Sequence, residues 1–394
     1  VLFPVAYSIL VLLFWTREPV ILIMSMLVLA FGASAAALAG HNNKTATVFW
    51  INSEKKSLEG SLAMFAVSCA TLFAGIHHFG INLNPKLDYA VGVALCGALT
   101  VTAWEALSSR GFGTLTIPLS VAFVLACFIF PSYVNHKQLS IGAALGVFVG
   151  VASYYTRLLA ASGAVATFIL SSLLYGIGGW KWTVPIVAFF LLSSLLSRVG
   201  RRKKSALEDM FEKTGTRDYA QVFANGGVAG ILVVLSYFFR DIDFYSLYLG
   251  SVAAATADTW ATEIGLLARQ EPLLITTFKR VSRGVNGGVT LVGLIAGAVG
   301  AAVIGLSAQA WTSGADFMMK IVIAGVVGGL VDSLFGATVQ AQYRCEVCQT
   351  ATERTSHHDT PTTLVRGYRR INNDTVNWIC AATGALTMVV LNKI

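Results

Sequence analysis

Two carboxylates inside an apolar run, followed by a basic, glycine-rich turn, are the residues of this chain best suited to chemistry. The run reads Ala257-Asp258-Thr259-Trp260-Ala261-Thr262-Glu263-Ile264-Gly265, and the turn reads Lys279-Arg280-Val281-Ser282-Arg283-Gly284-Val285-Asn286-Gly287-Gly288. A carboxylate in hydrocarbon is costly and marks function by default. Asp258 has the chemistry of a Mg²⁺ ligand, because Mg²⁺ takes one or two carboxylates and fills its shell with phosphate oxygens and water. Lys279 and Arg283 supply cations for phosphate, and an arginine can grip two oxygens at once. Gly284, Asn286, Gly287 and Gly288 let backbone N–H groups approach phosphate just ahead of a helix N-terminus. No G-x-x-x-x-G-K-[ST] occurs, so this is not a Walker A loop. The plainer alternative is an interfacial carboxylate beside an ordinary basic loop.

Two further acidic centres follow. Asp332-Ser333 lies deep in an apolar run, and Asn372-Asn373-Asp374 with Asn377 opens the last one. On the same membrane side, Asp332 and Asp374 would extend Asp258 to a two-metal or metal-plus-phosphate clamp, although Asp374 also suits a helix N-cap. Arg217-Asp218-Tyr219-Ala220-Gln221 and Asn225-Gly226-Gly227 fit either a nucleotide or headgroup contact, through Arg217 and Asn225, or a solvated turn. Cys345-x-x-Cys348 with His357 downstream has the ligand chemistry of a structural Zn²⁺. His358 is not counted, because neighbouring histidines rarely share one ion. His77, His78 and His136 fall on the opposite side and receive no catalytic role.

Membrane spans must position these groups. The chain has 394 residues, 55% of them hydrophobic and only 12% charged, with a mean hydropathy of +0.69. Soluble domains carry roughly 25% charge, so the composition predicts an all-α, polytopic integral membrane protein. About 13 spans are expected, near 1–16, 19–40, 61–76, 88–107, 115–132, 139–157, 161–177, 182–198, 226–241, 244–266, 287–310, 318–342 and 376–392. Residue 1 already lies in an apolar run with no cleavable signal pattern, so the numbered chain is expected to start within a longer polypeptide. The net charge of +8 gathers in a few loops. Arg198, Arg201, Arg202, Lys203 and Lys204 form the densest cluster, beside Lys55/Lys56, Lys279/Arg280/Arg283 and Arg366/Arg369/Arg370. An even number of spans separates each of the loops 41–60, 199–225, 267–286 and 343–375 from the next. All four therefore share one side, the cytoplasm by the positive-inside rule. Anchoring and binding of anionic headgroups explain the clusters better than nucleic acid does. Of the six cysteines, Cys69, Cys96, Cys127 and Cys380 read as small core residues rather than a disulfide scaffold.

The chain also repeats itself. Ala33, Ala36 and Gly40 have the spacing of Asp258, Ala261 and Gly265, and Lys56-Ser57-Leu58-Glu59-Gly60-Ser61 lines up with Arg283 to Gly288. Two related lobes are expected, about 1–135 and 140–394.

The second lobe resembles the DUF92/TMEM19 membrane family, which includes the plant and cyanobacterial phytyl-phosphate kinases. The resemblance runs through Ser162-Gly163, Gly178-Gly179-Trp180, Ser197-Arg198, Arg217-Asp218, Gln221, Asn225-Gly226-Gly227, the two opening motifs, Asp332-Ser333-Leu334-Phe335-Gly336-Ala337, Gln340 and Asn373-Asp374 with Val376-Asn377. The first lobe is similar to the phytol/dolichol kinases at Lys56 to Ala63, Glu105-Ala106-Leu107 and Leu115-Thr116-Ile117-Pro118. Its two acidic sites read Gly32-Ala33 and Gly113-Thr114, which implies a degenerate lobe without a catalytic metal. The resemblance implies a CTP-dependent kinase that converts an isoprenyl monophosphate to the diphosphate. Asp258, Asp332 and Asp374 would hold Mg²⁺, Lys279 and Arg283 would bind phosphate, and the lipid would stay in the membrane. A monoester acceptor is already ionised near neutral pH, so no strong base is required. A lipid transporter or scramblase and a CDP-lipid-forming cytidylyltransferase remain as alternatives at this point.

Overall fold

The computed structural model describes residues 2–42, 47–51, 54–79, 87–130, 136–200, 216–312 and 314–393. The cluster Arg201, Arg202, Lys203 and Lys204 lies outside them. Each expected span has its helix among the described residues: α1 Leu2–Phe14, α2 Pro19–Asn42, α3 Leu58–His78, α4 Leu87–Leu107, α5 Gly113–Ile129, α6 His136–Tyr155, α7 Ala161–Gly178, α8 Trp180–Arg198, α9 Tyr219–Phe238, α10 Phe244–Gly265, α11 Leu291–Ser307, α12 Ala315–Thr338 and α13 Asn373–Leu391. Nine of them are long and apolar enough to cross a membrane, and α1, α5 and α11 are shorter apolar helices. The remaining helix, α10, is less apolar because protein rather than lipid surrounds it. Every residue from Tyr248 to Ala257 is buried. The lipid-facing pattern is plain on α11, where Leu291, Ile295, Val299 and Leu306 are exposed while Gly293, Gly297, Gly300 and Ile304 face inward.

The strands are short and lie in the loops. β1 Val48–Ile51 pairs with β2 Glu54–Ser57, and β3 Leu273–Leu274 with β4 Gly288–Val289. Between α12 and α13, β5 Gln342–Arg344 sits between β6 Ala351–Thr352 and β9 Thr363–Arg366, while β7 Ser356–His357 pairs with β8 Thr360–Pro361.

The chain packs as two compact units, Val1–Ile177 and Gly178–Ile394. In the first, Leu10, Ile21, Met24, Met64, Leu72, Leu125 and Phe128 build an apolar core. The two units repeat one packing scheme. α1 to α5 pack as 1–2, 2–3, 3–4, 4–5 and 2–5, and α10 to α13 with α9 reproduce those neighbours in the same order.

Close contacts fix the register of this repeat. In the first unit a Cβ on Gly60 would stand 3.0 Å from the Ala36 carbonyl oxygen, and one on Gly40 2.9 Å from Ser57 Oγ. In the second, a Cβ on Gly293 would stand 2.8 Å from the Ala261 oxygen, and one on Gly265 3.3 Å from Thr290 Oγ1. Ser57 caps α3 by accepting from the Gly60 N–H, and Thr290 caps α11 by accepting from the Gly293 N–H. Ser57 therefore corresponds to Thr290 and Gly60 to Gly293, while Ala33 corresponds to Asp258. The Lys56–Ser61 segment is thus not the counterpart of Arg283–Gly288, as its glycine content suggests. A cap and a glycine at the helix crossing set the register, and composition does not. Lys56 itself is spent on an ion pair, its Nζ donating to Glu105 Oε1 at 2.6 Å with both side chains largely covered.

Candidate active site

Small residues bring the helices of the second unit close enough to form a site. Gly293 and Gly297 on α11 lie against the carbonyls of Ala261 and Ala257 on α10, where an added Cβ would come within 2.8 and 2.9 Å. Gly328 packs on Ala254, and Gly329 lies beside the Asp258 backbone. Such small-residue contacts substitute for the hydrophobic drive that lipid removes. Ala261 and Gly265 in the acidic motif thus serve packing, and they leave Asp258 facing α12.

Asp258 on α10 and Asp332 on α12 meet at hydrogen-bonding range, and Glu353 is near enough to act on Asp332 electrostatically. Both aspartates line a cleft of about 150 Å³. One wall is the basic turn, with Arg283, Gly284, Asn286, Gly287 and Gly288. Ser333, Gln340, Glu353 and Asn373 add polar groups, and Leu294, Gly297, Val326 and Leu330 form an apolar inner end. Val326 precedes Asp332 by six residues on one helix, which is about 9 Å deeper along the span.

The turn is pinned from both sides. Ile275 N–H donates to the Gly287 oxygen at 3.0 Å, and Gly288 N–H to the Val285 oxygen at 3.0 Å. Gly287 has φ +81°, and a Cβ there would stand 2.4 Å from Ala337 Cβ and 2.6 Å from the Ser333 oxygen. Only glycine brings the backbone so close to α12 in that conformation. Arg283 is steadied by donating to the Arg269 carbonyl at 2.8 Å. Two buried polar atoms at the cleft lack protein partners, Asp332 Oδ2 and Asn286 Nδ2. Buried polar atoms left in this state are uncommon and point to a missing ligand or water.

The loop after α12 supplies Glu353, which sequence reasoning passed over, and Arg366, which it placed only in a basic cluster. Gln340 Nε2 donates to Glu353 Oε1 at 2.8 Å, which brings Glu353 onto the cleft wall. Arg366 Nη2 donates to the Gly336 carbonyl at 2.9 Å, placing a cation at the C-terminal end of α12. Burial holds the Arg366 guanidinium below its usual pKa.

Other expected site residues stand elsewhere. Lys279 is exposed on the turn and is not part of the cleft wall. Asp374 is buried in the first turn of α13, whose cap is Asn372, and the cleft takes Asn373 from this helix instead. Asp218 and Gln221 form a capping box on α9, with Asn225 Nδ2 donating to the Gln221 oxygen at 2.9 Å. Arg217 faces Glu263 of α10, which also accepts from Ser197 Oγ at 2.5 Å. Burial lowers the Arg217 pKa, and Glu263 opposes that shift. The Arg217–Asn225 segment thus ties α8, α9 and α10 together, off the cleft wall.

The sulfurs of Cys345 and Cys348 and the ring nitrogens of His357 and His358 lie within 4.8 Å of one another. The Thr350 hydroxyl and amide beside Cys348 bring its thiol down to about 6.

Comparison with known proteins places the chain. It is 32% identical over 221 residues to protein PGR of Arabidopsis thaliana, covering 50% of this chain and 76% of the relative. It is 35% identical over 182 residues to an uncharacterized membrane protein of Methanocaldococcus jannaschii, covering 46% and 75%. It is 24% identical over 248 residues to the chloroplastic protein VTE6 of Arabidopsis thaliana, covering 60% and 66%. No solved structure matches it. The family described as integral membrane protein DUF92 matches residues 144–385, more than half of the chain and the whole of the cleft, and the chain belongs to that family.

Proposed function

We propose that the cleft transfers the γ-phosphate of CTP to an isoprenyl monophosphate of the phytyl or geranylgeranyl type, giving the diphosphate and CDP at the cytoplasmic membrane face. One observation carries the reading. A carboxylate pair and a glycine-rich basic turn share one cleft with an apolar inner end about 9 Å deeper in the span. The lipid class and the nucleotide come from the resemblance to the family's phytyl-phosphate kinases.

Asp258 and Asp332 would hold Mg²⁺, for which the unpartnered Asp332 Oδ2 is a ready ligand atom. The ion would supply neutralisation of phosphate oxygens during transfer. Asp374 is left out of this set, since it is not on the cleft wall. Asn286 would donate its unpartnered amide to the nucleotide, and the Gly287 and Gly288 backbone would lie against its phosphates. Arg283 would neutralise the transferring group, with Lys279 adding long-range attraction from its exposed position. The acceptor phosphate oxygen forms the new P–O bond while the bond to the β-phosphate oxygen breaks and CDP leaves. The acceptor is already an anion, so positioning and charge do the catalysis. Leu294, Gly297, Val326 and Leu330 would take the first isoprene units.

The test is transfer of label from γ-labelled CTP in detergent micelles to phytyl, geranylgeranyl and undecaprenyl monophosphates. Label in a lipid diphosphate, lost in Asp258→Asn, supports the kinase. Pyrophosphate release with a CDP-lipid product would replace it with a cytidylyltransferase. Neither labelled lipid nor labelled pyrophosphate with any of the three acceptors, with wild type and Asp258→Asn alike, would refute both.

A further inference from the structure

We infer that the module between α12 and α13 is a zinc centre with Cys345, Cys348, His357 and His358 as its four ligands, and that the ion holds Glu353 on the cleft wall. The zinc site stands apart from the kinase reading, and the role given to Glu353 rests on it.

The donors come from two hairpins. Cys345 opens the β5–β6 turn and Cys348 lies within it, and the turn closes with Cys345 N–H on the Thr350 oxygen at 3.1 Å and Gln349 N–H on the Cys345 oxygen at 2.9 Å. His357 and His358 sit at the β7–β8 turn, where His357 pairs with Thr360. Tetrahedral zinc with bonds of about 2.0–2.3 Å sets its ligands roughly 3.3–3.8 Å apart. Four donors already within 4.8 Å need to close by about 1.5 Å at most. Cys348 Sγ and His357 Nδ1 are already at 3.5 Å, and the two imidazole centroids at 4.2 Å.

Backbone strain gathers at the same place. Six non-glycine residues have positive φ among the described residues, and three of them belong to these two turns: Gln349 at 58°, His358 at 53° and Asp359 at 57°. A two-residue hairpin turn with both φ values positive prefers Asn-Gly, and His-Asp is a poor substitute. Strain of this kind persists where the surroundings over-determine it. Left-handed backbone at His358 turns its ring beside that of His357, so neighbours in sequence can reach one ion. A redox Cys-x-x-Cys pair would account for neither the histidines nor the turn.

The centre has a consequence for the cleft. Glu353 lies between the two ligand pairs, immediately after β6 and ahead of β7. Thr352, its neighbour, is buried and paired with Tyr343. An ion that joins the two hairpins fixes both ends of this short connection, and so fixes the carboxylate that accepts from Gln340 in the cleft.

The full chain, purified in detergent under reducing conditions, should carry about one zinc per molecule by mass spectrometry. Cys348→Ser and His358→Ala should each lower that content about tenfold. Replacing zinc by cobalt should give the visible bands of a tetrahedral ion and thiolate-to-cobalt charge transfer. In case a variant misfolds, chelation of wild type and readdition of zinc provide a reversible arm. Chelation should speed amide exchange from residue 350 to 356 while the helices stay protected. Glu353→Gln should keep the zinc and reduce phosphate transfer. Wild type without bound metal, or His358→Ala with full zinc and an unchanged cobalt spectrum, would overturn the four-ligand centre. Unchanged exchange at 350–356 after chelation, or full transfer by Glu353→Gln in protein that Asp258→Asn inactivates, would overturn the hold on Glu353.

Discussion

Asp258 on α10 and Asp332 on α12 face each other within hydrogen-bonding range at the polar end of the cleft, although 74 residues separate them in the chain. Two half-buried carboxylates so close are costly unless a proton or a cation lies between them. Asp258→Asn and Asp332→Asn should each reduce phosphate transfer by about 100-fold or more while leaving the protein folded. Transfer assays paired with melting in detergent check this. A variant that melts near wild type and keeps most of its rate would remove that carboxylate from the mechanism.

Gly287 should tolerate no side chain. Gly287→Ala places a methyl group against Ala337 and the Ser333 carbonyl in a left-handed backbone. The expected cost is about 1–3 kcal/mol, with weaker nucleotide binding because the turn must move off α12. Thermal melting with and without CTP reads both effects.

The first unit should respond differently. Lys56→Ala leaves Glu105 covered and unpaired, so stability should fall by about 1–3 kcal/mol. Specific activity of the folded fraction should remain close to wild type, and Lys56→Met with Glu105→Gln should recover much of the stability. Loss of turnover equal to that of Asp258→Asn would give the first unit a catalytic part.

Asp218 serves as a cap. Asp218→Ala should remove about 1 kcal/mol from α9 and leave the KM for nucleotide unchanged. A several-fold rise in KM at unchanged melting temperature would place this segment in the nucleotide site after all.

Much of the fold was legible because hydrocarbon imposes a length and a polarity on each span. Even α10 could be read, since no charged residue interrupts it between Phe244 and Asp258. Asp258, Asp332, Arg283 and Asn286 line one cleft; the aspartates stand out in the sequence by their apolar settings, and the turn residues by their phosphate chemistry. Lys279 is grouped with them for its charge on the turn, Asp374 for its membrane side, and Arg217 and Asn225 for their place at the end of a basic loop, and none of these gives a side chain's direction. Asp374 turns away from the cleft wall where its neighbour Asn373 does not. Glu353 was passed over because it lies in a polar loop, where a carboxylate carries no penalty and so no signal. Only the β5–β6 hairpin and Gln340 bring it to the site. His358 is set aside on a rule about adjacent ligands, yet its left-handed backbone brings its ring centroid to 4.2 Å from that of His357.

The enclosure of α10 also bears on how the protein is made. A helix emerging from the ribosome with Asp258 and Glu263 and a weak apolar face has little reason to enter lipid alone. Its entry depends on Gly293, Gly297, Gly325 and Gly328 of the helices that follow, which cover its flanks. A nascent chain stopped after residue 270 should therefore leave α10 outside the bilayer, and release through α13 should draw it in. The helix that carries the chemistry would be integrated last, by its neighbours, and the cleft could not exist before the fold that shields it.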